Sequence, residues 1–323
     1  MTLVTEHVMD NPRAERVKKT ALLATRSGRR KQGLFLAEGP QPVREAMRLW
    51  LQQWEAGESA GAPSPFTPTL DALYFDPAAL EQHSDVQALL DRMRGVLFDP
   101  QTQLPRGGRV FLREATAEVL SAMGDAETSQ GIIAVCRIPR LEFEGLDSLL
   151  MGTSVGDGSF TAQHPPLTLA PVITELQDPG NVGTIIRTAD AAGAGVVILS
   201  PGSADPWAPK VVRAAAGSHF HIPIAAGIDL RQLIDLTRAN GWQVLAAAGG
   251  GDTSLIAMTS HQPARPTLWL LGNEAHGLSD EQLQLADHRV AVPMYGQAES
   301  LNVAVAAGIC LYASAMHQRR AAQ

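Results

Sequence analysis

Cysteine is scarce: only Cys136 and Cys310 occur in 323 residues, each inside an apolar segment. Two such thiols offer neither a disulfide framework nor a metal site, suit a reducing cytoplasmic setting, and are expected in the core. No apolar stretch follows Met1, so no secretory signal is expected, and no apolar run reaches membrane-spanning length. Net positive charge is missing too. At −7, the chain is a poor candidate for coating nucleic acid non-specifically. No strand-end junction carries the Gly-x-Gly-x-x-Gly spacing of a dinucleotide fold. There is no Gly-Lys-Ser/Thr phosphate loop. These absences disfavour a nicotinamide enzyme and a nucleotide triphosphatase. No internal repeat is present.

What is there is globular: 45% hydrophobic and 18% charged residues, in a length that suits two domains. Residues 1–10 read as a loose tail. A helix is expected from Asn11 to Thr25, with Asn11 as cap and Pro12 at the first helical position. Strands at Leu34–Ala37, Leu73–Phe75, Val110–Leu112 and Gly131–Cys136 alternate with helices at Pro42–Trp54, Pro77–Met93 and Ala115–Met123. That alternation makes a small α/β domain over 11–140. Residues 141–167 read as a linker or loop, and 55–68, 99–108 and 151–166 as loops. From 168 to 323, apolar strands (Leu169–Leu176, Val196–Leu199, Ile222–Ala225, Trp242–Ala247, Thr267–Leu271, Arg289–Val292) alternate with helices. This pattern implies a mostly parallel sheet covered on both faces, with ligands beyond the carboxyl ends of its strands.

Charge distribution says more than the sum. Arg13, Arg16, Lys18, Lys19, Arg26, Arg29, Arg30 and Lys31 stand against the single acid Glu15. The stripe suits either a phosphate-binding surface or a solvated helix face.

Three strand-end junctions in the second domain are polar and glycine-bearing. In Gln177-Asp-Pro-Gly-Asn-Val-Gly-Thr-Ile-Ile-Arg-Thr-Ala-Asp190, Asn181 is the expected helix cap. Arg187 lies near a helix start, where the dipole favours anions, so it needs a partner: Asp190 at i+3 or a phosphate. In Gly272-Asn-Glu-Ala-His-Gly277, Glu274 could orient a substrate or serve a helix start, and His276 is a lone loop histidine. The third is Val292-Pro-Met-Tyr-Gly-Gln-Ala-Glu-Ser-Leu-Asn-Val303, where Ser300 or Asn302 is suited to cap the final helix. His219 and His221 alternate along an expected strand, but without a third ligand no metal site is expected.

Together, Asn181…Arg187, Gly272-Asn-Glu-x-x-Gly277 and Val292-Pro-Met294…Ser300-Leu-Asn302 resemble the three signature motifs of the SpoU/TrmH family of RNA ribose 2′-O-methyltransferases, in the SPOUT superfamily. The resemblance covers roughly residues 168–318. It extends more weakly to a ribosomal-protein-like substrate-binding module through Gly33 to Gly39, Glu45-Ala46 and Gln130 to Val135. It implies a trefoil-knotted parallel sheet, S-adenosylmethionine as cofactor, and a homodimer formed through the C-terminal domain. Gly272, Val292 and Leu301 would line the cofactor pocket, with Asn273, Pro293, Met294, Ala248 and Gly249 nearby. Arg187, Asn181, Glu274, Ser300 and Asn302 would form the catalytic set. Arg13, Arg16, Lys18, Lys19, Arg29, Arg30 and Lys31 would hold RNA, large-subunit ribosomal RNA ahead of transfer RNA. Against this stand an RNA-binding protein with a retired site, and a doubly wound enzyme for a small metabolite.

Overall fold

The computed structural model describes residues 8–54, 65–102, 104, 108–151, 167–261 and 264–321. Residues 1–7 of the tail expected over 1–10, and the loop residues 55–64, 103, 105–107 and 152–166, lie outside that set; Met9, within the expected tail, instead pairs with Ala115. The chain packs as two units. The first is Met1–Pro139 together with Trp207–Phe220; the second is Arg140–Pro206 with His221–Gln323.

In the first unit, β1 (Leu34–Glu38), β2 (Thr69–Phe75), β3 (Phe111–Glu114) and β4 (Ile132–Arg137) form one sheet in the order β1-β4-β2-β3. Only β2 and β3 are parallel. The first helix does not begin at Asn11. It spans Glu15–Ala21, because Asn11 Oδ1 instead accepts the Arg13 N–H at 2.9 Å and closes a turn. The single helix expected over Pro77–Met93 is two, Pro77–Leu80 and Ser84–Phe98. The helix Pro40–Trp54 buries Val43, Met47, Trp50 and Leu51.

The segment 207–220 belongs to this unit through its packing. Trp207 lies 4.9 Å from Phe35, ring centre to ring centre, and Phe220 6.2 Å. Arg213 donates to the buried Glu38 carboxylate at 3.2 Å, which also accepts the N–H groups of Asp125 and Ala126. A buried carboxylate is tolerated when its charge is so met.

The second unit holds a seven-stranded sheet whose pairings are all parallel. β5 (Leu169–Ile173), β6 (Val197–Leu199), β7 (Ile224–Ala226), β8 (Gln243–Ala247), β9 (Thr253–Ser254), β10 (Thr267–Leu271) and β11 (His288–Ala291) lie in the order β7-β6-β5-β10-β8-β11-β9. β5, β6 and β10 are buried at every residue, as strands covered on both faces must be. The strand after His221 starts at Ile224, and Ser218–Phe220 is a 3₁₀ turn, so His219 and His221 do not share a strand face. His219 is buried in the first unit. His221 Nδ1 lies 2.8 Å from Asp190 Oδ2 in the second. The expected linker contains a helix, Phe143–Met151. A short helix at Leu255–His261 was not read from the sequence.

Because β10 sits between β5 and β8, the loops after β5, β8, β10 and β11 gather at one end of the sheet. This is the position where parallel sheets bind ligands.

Candidate functional site

The loop after β5 is shaped first. Thr174 Oγ1 donates to the Leu271 carbonyl at 2.9 Å, tying β5 to the end of β10. Glu175 then adopts a left-handed backbone, φ 52, which ends the strand short of Leu176. The next helix runs Pro179–Ala192, and its cap is Asp178, not Asn181. Asp178 Oδ1 accepts the Asn181 N–H at 2.7 Å. The Asp178-Pro179 pair is itself a strong helix-start signal in the sequence. The Asn181 side chain is thereby free for other work.

It works as a bridge. Asn181 Nδ2 lies 3.4 Å from Glu274 Oε1, and Asn181 Oδ1 accepts Asn302 Nδ2 at 3.0 Å. Glu274 also accepts the Asp178 N–H at 2.9 Å and the Gln177 N–H at 3.4 Å. Burial pushes the Glu274 carboxyl up, but its own N–H, those of Asp178 and Gln177, and the Asn181 amide outweigh it and hold it below the usual carboxylate range. Asn273 is fixed in turn, donating to the Glu175 carbonyl at 2.8 Å while its Oδ1 accepts the Ala275 N–H at 2.8 Å. Residues from all three motifs thus form one hydrogen-bonded chain.

Beside it lies a cavity of about 570 Å³. Its walls include Ala248 and Gly249 after β8, Gly272, Asn273 and Glu274 after β10, and Val292, Met294, Ser300, Leu301 and Asn302 after β11. Glu299, not singled out from the sequence, lines it as well, as does Ala306. Gly272 is required there: a Cβ would sit 2.3 Å from the Gly277 carbonyl carbon. Gly277 itself has φ +67 and closes the loop by exchanging hydrogen bonds with Asn273. Pro293 and His276 are not among the lining residues. The cavity volume, its apolar walls and a few convergent polar groups suit a small cofactor.

The Arg187 side chain is exposed and, among the described residues, makes no hydrogen bond or ion pair. Asp190, the partner considered for it, faces His221 instead. Arg187 does not line the cavity. Asn302 Oδ1 accepts the N–H groups of Ala304 and Val305, at 2.9 and 3.3 Å, so it caps the final helix Val303–Ala321 while its amide holds Asn181.

In the first unit, Arg13, Arg16, Lys18, Lys19, Arg30 and Lys31 are exposed. Arg29 is not: it is 4% exposed, and its Nη1 donates to the carbonyls of Leu23 and Ala24 at 2.8 and 2.9 Å. It satisfies carbonyls of a 3₁₀ turn rather than presenting charge to a ligand, which corrects its expected role. Arg16 Cζ lies 3.6 Å from the centre of the Phe111 ring.

Residues 169–312 match the SpoU rRNA Methylase family. The chain is 34% identical over 224 residues, 68% of its length, to the 23S rRNA (guanosine(2553)-2′-O)-methyltransferase RlmP of Bacillus subtilis (strain 168), covering 79% of that protein. It is 30% identical over 243 residues to a 23S rRNA (uridine(2479)-2′-O)-methyltransferase of Streptomyces viridochromogenes, with 70% of this chain and 77% of that one covered. Among solved structures it is similar to an AdoMet-bound rRNA methyltransferase from Sinorhizobium meliloti: TM-score 0.68, 29% identity, 96% of this chain and 98% of that one.

Proposed function

The chain belongs to the SpoU rRNA methylase family, and on that premise we propose that it methylates a ribose 2′-hydroxyl of large-subunit ribosomal RNA, with S-adenosylmethionine as donor. The observation that carries this reading is the Glu274–Asn181–Asn302 chain beside a 570 Å³ cavity. Both relatives compared above by sequence are named for this reaction on 23S rRNA.

The cofactor, when bound, supplies a methyl group on a sulfonium whose leaving group is a neutral thioether. Gly272, Val292 and Leu301 would hold it, with Asn273, Met294, Ala248 and Gly249 around them. Pro293, between Val292 and Met294, is not itself part of the wall. Arg187 grips the RNA phosphate and stabilises negative charge growing on the 2′-oxygen; a guanidinium stays protonated and is unsuited to be a general base. Glu274 is unsuited as well, since its depressed carboxyl already accepts hydrogen bonds from its own N–H, Asp178, Gln177 and Asn181. Its task, with Asn181 and Asn302, is to hold the loops so that the hydroxyl arrives in line. Ser300 faces the cavity and orients the ribose or cofactor. The 2′-proton leaves to water.

The same reading includes a homodimer through the second unit and a trefoil knot formed by its C-terminal segment. Val305, Ile309, Tyr312 and Met316, spaced by four, three and four, leave an apolar stripe 39–52% exposed along the final helix, which a second copy would cover. No described helix is long and apolar enough to cross a membrane, and the reading places the protein in the cytoplasm. Exposed Arg13, Arg16, Lys18, Lys19, Arg30 and Lys31 supply the RNA contacts of the first unit.

The test is transfer of a labelled methyl group from S-adenosylmethionine to unmodified ribosomal RNA, with mapping of 2′-O-methylation. RNA from cells lacking the gene should lose one such mark. No transfer, and no lost mark, would end the proposal.

A further inference from the structure

The loop between β11 and the final helix leaves one side chain unexplained. Tyr295 is 87% exposed, more than any other large hydrophobic residue described. Its hydroxyl makes no hydrogen bond to a described residue. Its neighbour Gly296 has nothing within 4 Å of where a Cβ would stand, so this tip of the loop is clear of the protein body. A tyrosine there contributes nothing visible to the fold, and an exposed ring has a cost in water.

Its position is specific. Met294, Ser300, Leu301 and Asn302 of the same loop line the cavity; Tyr295 does not. Met294 and Leu301, 40% and 36% exposed, would be covered by a molecule filling the cavity. Tyr295 would remain outside, at the rim past which an acceptor must enter. The incoming ribose carries a base, and sequence-selective proteins commonly splay RNA bases out and stack them on aromatic rings. A tyrosine ring with both faces open suits that contact, whatever the base.

We propose that Tyr295 is a substrate-stacking residue, receiving on its ring a nucleobase of the RNA at or next to the acceptor nucleotide. The proposal rests on the methyltransferase reading above. It goes further by assigning the rim of the pocket to the base, whereas its walls serve the methyl donor.

The experiment compares wild type, Tyr295→Ala and Tyr295→Phe as full-length protein, with in vitro transcribed large-subunit ribosomal RNA as probe. RNA affinity is read by filter binding without cofactor, methyl transfer with labelled S-adenosylmethionine, cofactor affinity by calorimetry, and oligomeric mass by light scattering. Tyr295→Ala should lower kcat/KM for RNA about tenfold or more and weaken RNA binding in step. Cofactor affinity and mass should not change, and Tyr295→Phe, which keeps the ring, should restore most of the loss. Unchanged RNA parameters in Tyr295→Ala would overturn the proposal. So would an equal loss of cofactor affinity, which makes the ring part of the donor pocket, or a changed mass, which makes it a subunit contact. If wild type binds RNA but transfers no methyl group, the reaction assignment fails while the affinity comparison still judges Tyr295.

Discussion

Asn302 Nδ2 donates to Asn181 Oδ1 across 3.0 Å, linking two residues 121 apart in sequence. The other end of the same amide, Oδ1, caps the final helix. One side chain therefore does two jobs through two atoms, and they can be separated. Asn302→Asp keeps the acceptor for the cap and loses the donor to Asn181. It should melt within a few degrees of wild type yet lose most methyl transfer. Asn302→Ala loses both and should also cost about 1 kcal/mol of stability. Full activity in Asn302→Asp would show that the link to Asn181 has no catalytic consequence.

Among the described residues, the Arg187 side chain in the first motif has no partner. Arg187→Ala should lower turnover by about 10²–10³-fold, the range seen when a charge-stabilising donor is removed. Calorimetry should find S-adenosylmethionine binding nearly unchanged, because Arg187 does not line the cavity. Arg187→Lys should recover only part, since an ammonium cannot make a forked contact.

Glu274 ties pH to the site. Its carboxyl is held below the usual range, so it binds its proton less readily folded than unfolded. Its stabilising contribution is therefore complete above the unfolded-state value near pH 4.3, and is lost as pH falls through the lower folded-state value. Thermal melts of wild type and Glu274→Gln should differ at neutral pH and converge in acid. The difference should be about 1 kcal/mol or less, because the group is exposed and solvent screens it.

Gly272 tests the cavity wall. A methyl group there meets the Gly277 carbonyl carbon at 2.3 Å and the Leu278 nitrogen at 2.5 Å, both backbone. Gly272→Ala should cost about 1–3 kcal/mol and weaken cofactor binding at least as much as any side-chain change nearby. Wild-type calorimetry for this variant would contradict the close approach.

The basic stripe divides by burial. Arg29→Ala should lower the melting temperature, since it strands the carbonyls of Leu23 and Ala24. Arg30→Ala and Lys31→Ala should leave stability alone and weaken RNA binding. Each should reduce the slope of log affinity against log salt by about one.

Strands such as Thr267–Leu271 were legible in the sequence because strands buried on both faces are continuously apolar. The cavity's walls are legible because glycines and polar residues at strand ends are what a close-approaching backbone site requires. Other features were out of reach. Asn181 has the residue type of a cap, although Asp178 before Pro179 is the better one. The burial of Arg29 depends on a 3₁₀ turn that no hydrophobic period announces. The helix Phe143–Met151 was hidden within a segment read as linker. The second jobs of Asn181 and Asn302 arise only when loops distant in sequence meet.

The placement of Trp207–Phe220 has a consequence for how the protein is made. Synthesis proceeds from the N-terminus, and a domain can close only when all its parts have left the ribosome. The first unit needs Trp207 and Phe220 against Phe35, and Arg213 against Glu38. It must therefore wait until residue 220 has emerged, after β5 and β6 of the second unit. A fragment cut at residue 139 would present Glu38 and Phe35 without those partners.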